Sequence, residues 1–295
     1  VNVVPVGSPQ DASTEELVAR SPAEHAEHGI DVGMRTEADE LDTAGARVKV
    51  RELDTGTERW EAYDRLMVGT GASPLRPPID GIDAPNVHGV QHLDAVPPLL
   101  EEAERSSGTN VVLIGAGYIG VELAEAFAKR GANVTMLEAG DQAILRLPAD
   151  LAEDLRAGIE NIGVQLKTNE SVQAIGSDHV STSEGAYPAD LVVLGLGVRP
   201  NASLAKDAGM KLGPAGGIVT DDRQQTSIEG VYAAGDCCVA RHRISGELAY
   251  VPLGTTANRQ GRVAGTNLGG GDARFPGILG TAVLKLCGVE IGMTG

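Results

Sequence analysis

The sequence predicts an α/β fold, and three observations carry that expectation. An apolar strand pattern, "NVVLIG" (110–115), runs into a glycine turn and an amphipathic helix, and a second strand pattern, "NVTMLEAG" (133–140), follows. Short strand-like and helix-like stretches alternate along the rest of the chain, with no internal repeat or low-complexity tract. The length, 295 residues, is enough for about two domains with separate cores.

From the N-terminus, residues 14–28, "TEELVARSPAEHAEH", read as polar helical turns interrupted at Pro22. His25 and His28 fall on one helix face, but two histidines without further ligands predict no metal site. "ARVKVREL" (46–53) and "TERWEAYDRLMVGTG" (57–71) alternate as strands, the latter ending in an apolar run and a glycine turn. "ASPLRPPIDGIDAPN" (72–86) is the clearest linker, and a polar helix is expected near 92–105. The helix after the glycine turn runs to Arg130, with Ile119, Leu123, Ala126 and Phe127 on one apolar face and Gly131 at its stop. Further on come "ADLVVLGLGVRPN" (189–201), "EGVYAAGDCC" (229–238) and "VPLGTTANRQGRVAGTNLGGG" (251–271).

Composition excludes several partners. The formal charge is −17, against the cationic footprint that nucleic acid or an anionic membrane surface requires. No apolar run approaches the ~20 residues that span a bilayer, and "VNVVPVGSPQ" has no signal-peptide pattern. Both ends of the chain read as cut, as in a partial or processed product. Excess carboxylates with scarce lysine suit a high-salt cytoplasm, where screening suppresses self-repulsion; an ordinary acidic cytosolic enzyme is the alternative. The cysteines, Cys237, Cys238 and Cys287, form no disulfide framework, which points to a reducing cytoplasm. Asp236 is expected to raise the pKa of the adjacent Cys237.

The chemistry concentrates at Gly115, Gly117 and Gly120, which give G-x-G-x-x-G. The first glycine permits the tight turn, the second lets backbone approach a diphosphate, and the third lets helix and strand pack closely. The helix N-terminus then presents unpaired N–H groups to phosphate. Glu138, 23 residues after Gly115 at the end of the next strand, is placed to accept from adenosine ribose hydroxyls. Its carboxylate repels a 2′-phosphate, and the first basic residue after it is Arg146, so NADH is expected over NADPH.

"LMVGTGASP", "GAGYIGVELAEAF", "GLGVRPN" and "GVYAAGDC" stand here in the order found in FAD-dependent pyridine nucleotide-disulfide oxidoreductases, which the chain resembles over essentially its whole length. The tail from "VPLGTTANRQGRVAG" to "VEIGMTG" resembles the branch of CoA-disulfide reductases and NADH oxidases. The resemblance implies two Rossmann-like nucleotide-binding domains, the NADH domain inserted into an incomplete FAD domain. The implied segments are 1–105 (FAD domain, first part), 106–200 (NADH domain), 201–270 (FAD domain, second part) and 271–295 (start of a dimerisation domain). It implies a small-molecule substrate, and a homodimer for the intact protein.

Roles follow at matched positions. Thr70, Gly71 and Ala72 would lie along FAD; Gly235 and Asp236 would meet its ribityl chain, with a helix expected from Asp236 whose N-terminus faces the flavin phosphates. Tyr118 would cover the flavin until nicotinamide displaces it, with Ile119 beside it in the turn and Glu122 orienting the pocket. Gly195 and Gly197 would put bare backbone beside the nicotinamide, or else simply end a buried strand. The family's own FAD fingerprint and redox cysteine are not matched here; the resemblance places them upstream of Val1, and FAD is expected to bind poorly without that fingerprint. A nitrite- or ferredoxin-reductase module and a non-catalytic NADH-binding protein are the competing readings.

Overall fold

A computed structural model describes residues 20–90, Leu99 and 108–294. The chain divides into two compact units, one of residues 74–198 with 282–293, the other of 20–73 with 199–281. Residues 14–19 and the helix expected near 92–105 lie outside the described residues, apart from Leu99, which is helical and buried.

In the second unit, α1 (Pro22–Glu27) begins at the proline expected to interrupt it. Proline lacks an N–H, which costs nothing in a first helical turn. Ser21 caps the helix, its hydroxyl accepting from the Glu24 N–H while the Glu24 carboxylate accepts from Ser21. Next come β1 (Thr36–Asp42), β2 (Arg47–Glu52) and β3 (Glu58–Ala62), an antiparallel sheet. Ion pairs cross it, among them Arg51 with Glu37 and Asp39 and Arg59 with Glu52 and Glu61. Such exposed pairs contribute about 0–1 kcal/mol each. β4 (Leu66–Val68) follows, and the chain leaves this unit in β5 (Ala72–Pro74).

The first unit contains β6 (Val87–Gly89), β7 (Asn110–Ile114), α2 (Tyr118–Lys129), β8 (Asn133–Leu137), α3 (Ala149–Asn161) and β9 (Gln165–Lys167). A three-stranded meander, β10 (Val172–Ile175), β11 (His179–Thr182) and β12 (Ala186–Pro188), precedes β13 (Leu191–Leu194). The parallel sheet runs β6-β13-β7-β8-β9. Alternation sorts its residues onto two faces. Val111, Leu113, Leu191 and Val193 meet Phe127, Leu155 and Ile159 of the helices. Val112, Ile114, Val192 and Leu194 meet Ile175 and Val180 of the meander. Each such side chain, fully buried, contributes about 1.5–3 kcal/mol.

The sequence reading starts this unit at residue 106, whereas contacts join it from residue 74, because β6 hydrogen-bonds along β13. The chain returns through β14 (Val198–Pro200) to α4 (Ser203–Asp207), β15 (Val231–Ala233), β16 (Ala240–Arg241), β17 (Leu248–Ala249) and α5 (Gly254–Leu268). β15 pairs in parallel with β4 over a core containing Val68, Ile218, Val231, Cys237 and Cys238. The last elements, β18 (Ala282–Leu286) and β19 (Val289–Met293), form a hairpin. Sequence grouped 271–295 together, but Leu286 and Ile291 of this hairpin join the first unit's core while 271–281 stay with the second unit. Among the described residues no helix is long and apolar enough to cross a membrane.

Candidate dinucleotide sites

In the first unit the turn between β7 and α2 is built from glycines that interlock. Gly115 has φ 100°, and a Cβ there would stand 2.7 Å from the Gly195 carbonyl oxygen. A Cβ on Gly120 would meet the Gly115 carbonyl oxygen, and one on Gly195 would lie 2.9 Å from that oxygen and 3.1 Å from the Gly120 Cα. The G-x-G-x-x-G turn and the distant "GLGV" segment therefore pack backbone on backbone, with Gly195 N–H bonded to Ile114 O at 2.8 Å. Gly117 caps α2 in an extended conformation with no side-chain hydrogen bond, so the first-turn N–H groups have no intrahelical acceptor. Its nearest neighbour to an added Cβ is 3.7 Å away, which leaves the approach open to a diphosphate. Gly197 is exposed at φ 83°, and its carbonyl accepts from Leu75 N–H at 3.0 Å.

Glu138 directly follows β8 and has a task that the sequence did not reveal. Its two oxygens accept the Ala116 N–H and the Gly140 N–H, both at 2.8 Å. The carboxylate thus ties the strand end to the glycine turn, and each oxygen keeps a lone pair for a ribose hydroxyl. Tyr118 and Glu122 share a face of α2 by their i, i+4 spacing. The Tyr118 hydroxyl reaches Met293 Sδ at 3.3 Å, and Ile119 packs against the helical side of the core. Burial, with the nearby Glu125 carboxylate, pushes the Glu122 carboxyl above its ordinary range. Glu125 itself accepts from Lys129 and from the Cys287 N–H at 3.0 Å, fastening the C-terminal hairpin to α2.

In the second unit Thr70, Gly71 and Ala72 are stitched to Asn201. Thr70 Oγ1 donates to Asn201 O at 2.5 Å, Asn201 Nδ2 donates to Thr70 O at 3.0 Å, and Asn201 N–H donates to Gly71 O at 2.9 Å. Asn201 closes "GLGVRPN", so its amide explains why that asparagine accompanies the threonine turn. Ala72 is buried and Gly71 has φ 66°. Gly235 follows β15 at φ 90° and donates its N–H to the buried Gln260 at 3.0 Å.

No helix begins at Asp236, contrary to expectation. Cys238 N–H closes a turn onto Gly235 O at 2.9 Å, and then Ile218 N–H bonds to Cys237 O and Val239 N–H to Ile218 O. That pairing beside Ile218 holds the chain extended, so Asp236 sits in a turn without a helix dipole behind it. Its half-buried carboxylate accepts no hydrogen bond from any described residue, and burial raises its pKa. A half-buried, unpartnered acceptor fits a ligand hydroxyl.

The expected upward shift of Cys237 is also overturned. A hydrogen bond from Cys238, whose Sγ is 3.7 Å away, and then donors at Thr70 and Gly71, pull Cys237 down; Cys238 goes up by the same hydrogen bond and by burial. Adjacency to Asp236 in sequence did not reveal the donors at Thr70 and Gly71, which lie in the turn between β4 and β5, more than 160 residues earlier. Burial pushes Cys287 up to about 12. All three thiols are free and buried.

A doubly glycine-locked turn on a parallel sheet, with an acid just past the next strand, is the arrangement of a dinucleotide-binding unit. The model of the pyridine nucleotide-disulphide oxidoreductase family matches residues 4–261, and the chain belongs to that family. It is 40% identical over 279 residues to the NAD(P)H coenzyme A polysulfide/persulfide reductase of Pyrococcus horikoshii, covering 90% of this chain and 60% of that protein. The NAD-dependent persulfide reductase from A. fulgidus superposes with a TM-score of 0.86 at 36% identity, over 90% of this chain and 50% of the other. The water-forming NADH oxidase from Lactobacillus brevis, solved bound to NADH, superposes with a TM-score of 0.90 at 31% identity, over 97% and 64%. The chain spans about three-fifths of the length of the curated relatives it matches.

Proposed function

We propose that this chain carries the NADH and FAD cradles of an oxidoreductase that moves hydride from NADH to flavin and on to CoA disulfide, a persulfide or oxygen. The observation that carries the reading is the interlock of Gly115, Gly120 and Gly195 beneath an uncapped helix N-terminus. When bound, NADH supplies the hydride and FAD the ring that accepts it. The chain's own groups bind and orient. First-turn N–H groups of α2 hold the NADH diphosphate. Glu138 accepts from the ribose and opposes a 2′-phosphate, with Arg146 the first cation after it. Tyr118, Ile119 and Glu122 bound the nicotinamide end, and Gly195 and Gly197 leave it bare backbone. In the second unit Thr70, Gly71 and Ala72, braced by Asn201, and Gly235 with Asp236, supply part of the FAD cradle, and FAD is expected to bind this chain poorly. Cys237, Cys238 and Cys287, buried as they are, are assigned no part in passing electrons to the acceptor.

The free thiols and the acidic charge suit a cytoplasmic protein with no nucleic-acid or membrane partner, and we read the intact protein as a homodimer on the resemblance of its tail. NADH fluorescence titration tests the core of the proposal. Saturable binding is expected, with NADPH weaker by about tenfold or more, as loss of roughly 1.5–3 kcal/mol of charge-assisted bonding implies. Equal affinities, or no binding of either, overturn it.

A further inference from the structure

The second unit holds a cavity of about 130 Å³ that none of the roles above uses. Its polar lining comes from Arg243, Arg259, Thr255 and Thr256, and Phe275 and Ile278 form part of an apolar wall. Thr255, Thr256 and Arg259 share one face of α5 by i, i+3 and i, i+4 spacing. Arg243 lines it from a segment pinned by Arg243 N–H to Ile278 O at 2.8 Å and Ile278 N–H to Arg241 O at 2.9 Å. Gly277 makes room for it, since a Cβ there would sit 3.3 Å from Arg243 Cγ and still closer to the Arg241 carbonyl.

Arg243 and Arg259 are exposed residues. In the same unit Arg35, Arg47, Arg51, Arg59, Arg223 and Arg274 pair with carboxylates, whereas Arg199 and Arg262, like these two, pair with none among the described residues. Among the described residues Arg243 and Arg259 make no side-chain hydrogen bond or ion pair, and neither threonine hydroxyl has a partner. Two unpaired forks and two hydroxyls facing one cavity match the several acceptor oxygens of a tetrahedral anion. The first-turn N–H groups of α5, which has no side-chain cap, add donors at the same place.

We propose that this cavity binds a tetrahedral oxyanion, a phosphate or sulfate group, either free or carried on a larger molecule. Calorimetric titration of the chain with inorganic phosphate and with sulfate, in low-chloride buffer, tests it. One site per chain is expected, with Arg243→Gln and Arg259→Gln each weakening binding at least tenfold. Arg262→Gln, which removes the same charge from α5 outside the cavity, is expected to leave binding within twofold. Glycerol 3-phosphate separates the sources: binding at least as tight as phosphate shows an open site for a carried group, and its exclusion shows a free-anion site. Circular dichroism, and partial recovery in Arg259→Lys, keep the result readable if a glutamine variant misfolds. No binding of either inorganic anion, or equal loss in Arg262→Gln, overturns the proposal. NADH affinity of the Arg243 variant is expected to be unchanged, so this result stands apart from that of the nicotinamide site.

Discussion

Gly115–Gly120 in the first unit and Gly235–Asp236 in the second both follow a parallel strand with a glycine at positive φ, yet their surroundings differ. The first turn is crowded: added Cβ atoms at Gly115, Gly120 and Gly195 all meet backbone closer than 3.0 Å. Around Gly235 the nearest atom to an added Cβ is Ala257 Cβ at 3.8 Å. The first turn thus needs glycine for packing as well as for conformation, the second for conformation alone. A turn locked by its own backbone is a cradle formed before any ligand arrives. A turn with room around it and an unpartnered Asp236 carboxylate leaves part of its shape to what it binds.

The sharpest way to break this comparison is one methyl group in each turn. In Gly120→Ala the new Cβ collides with the Gly115 carbonyl, which cannot move without displacing Gly195. We expect loss of NADH binding by two orders of magnitude or more in titration, with a lowered Tm. If Gly120→Ala binds NADH normally, the interlock is not what forms the cradle.

Glu138→Ala comes next. It removes the ribose acceptor and leaves the Ala116 and Gly140 N–H groups unpaired, at about 1–3 kcal/mol each where buried. NADH affinity is expected to fall about tenfold or more, with a stability loss visible in thermal unfolding. A stability loss with NADH affinity intact would assign Glu138 to the turn alone. Gly235→Ala, by contrast, carries only conformational strain, about 1–2 kcal/mol. It is expected to lower Tm modestly and leave NADH affinity untouched; an effect as large as that of Gly120→Ala would erase the distinction between the turns.

The crowded turn was also the more legible one. β7, α2 and β8 stand where the apolar runs and the glycine spacing put them, because each is a local pattern. What the sequence hid is what distance along the chain conceals. Gly195 against Gly115, β6 joining the sheet from just past the linker, and Asn201 bracing Thr70 are pairings between remote segments. At Asp236 the resemblance implied a helix, and the tertiary pairing with Ile218 won. Candidate residues could be chosen from motif positions, but the second role of Glu138 required knowing which backbone donors surround it.

Glu122 sharpens the picture of the first unit by a smaller effect. Its folded pKa is raised, so the folded state binds the proton more tightly than the unfolded chain. Stability from this group is therefore full below the unfolded carboxyl pKa and lost as pH rises through the folded value. Glu122→Gln removes the ionised form, and should raise Tm by roughly 1 °C at neutral pH, with the gain vanishing in acid. A gain that persists in acid would come from packing rather than from burial of charge.

The smallest expected effect sits beneath the second turn. Cys238 and the donors at Thr70 and Gly71 pull Cys237 toward the thiolate, ordinarily the reactive form, although its Sγ also donates to Val68 O and Ala234 O, which favours the thiol. Access opposes this: Cys237 is fully buried, and Cys238 and Cys287 are 5% and 6% exposed. A thiolate that reagent cannot reach is inert whatever its pKa, so burial is expected to prevail. An aromatic disulfide reagent added to the native chain should release almost no thiol, with little change between mildly acidic and mildly alkaline buffer, and all three cysteines should react on unfolding in denaturant. Rapid reaction of one thiol in the folded chain, growing with pH and lost in Cys237→Ser, would show that the turn around Asp236 opens far enough to expose Cys237. The second turn would then be mobile as well as uncrowded, and Cys237 would return as a candidate for redox chemistry beside the flavin cradle.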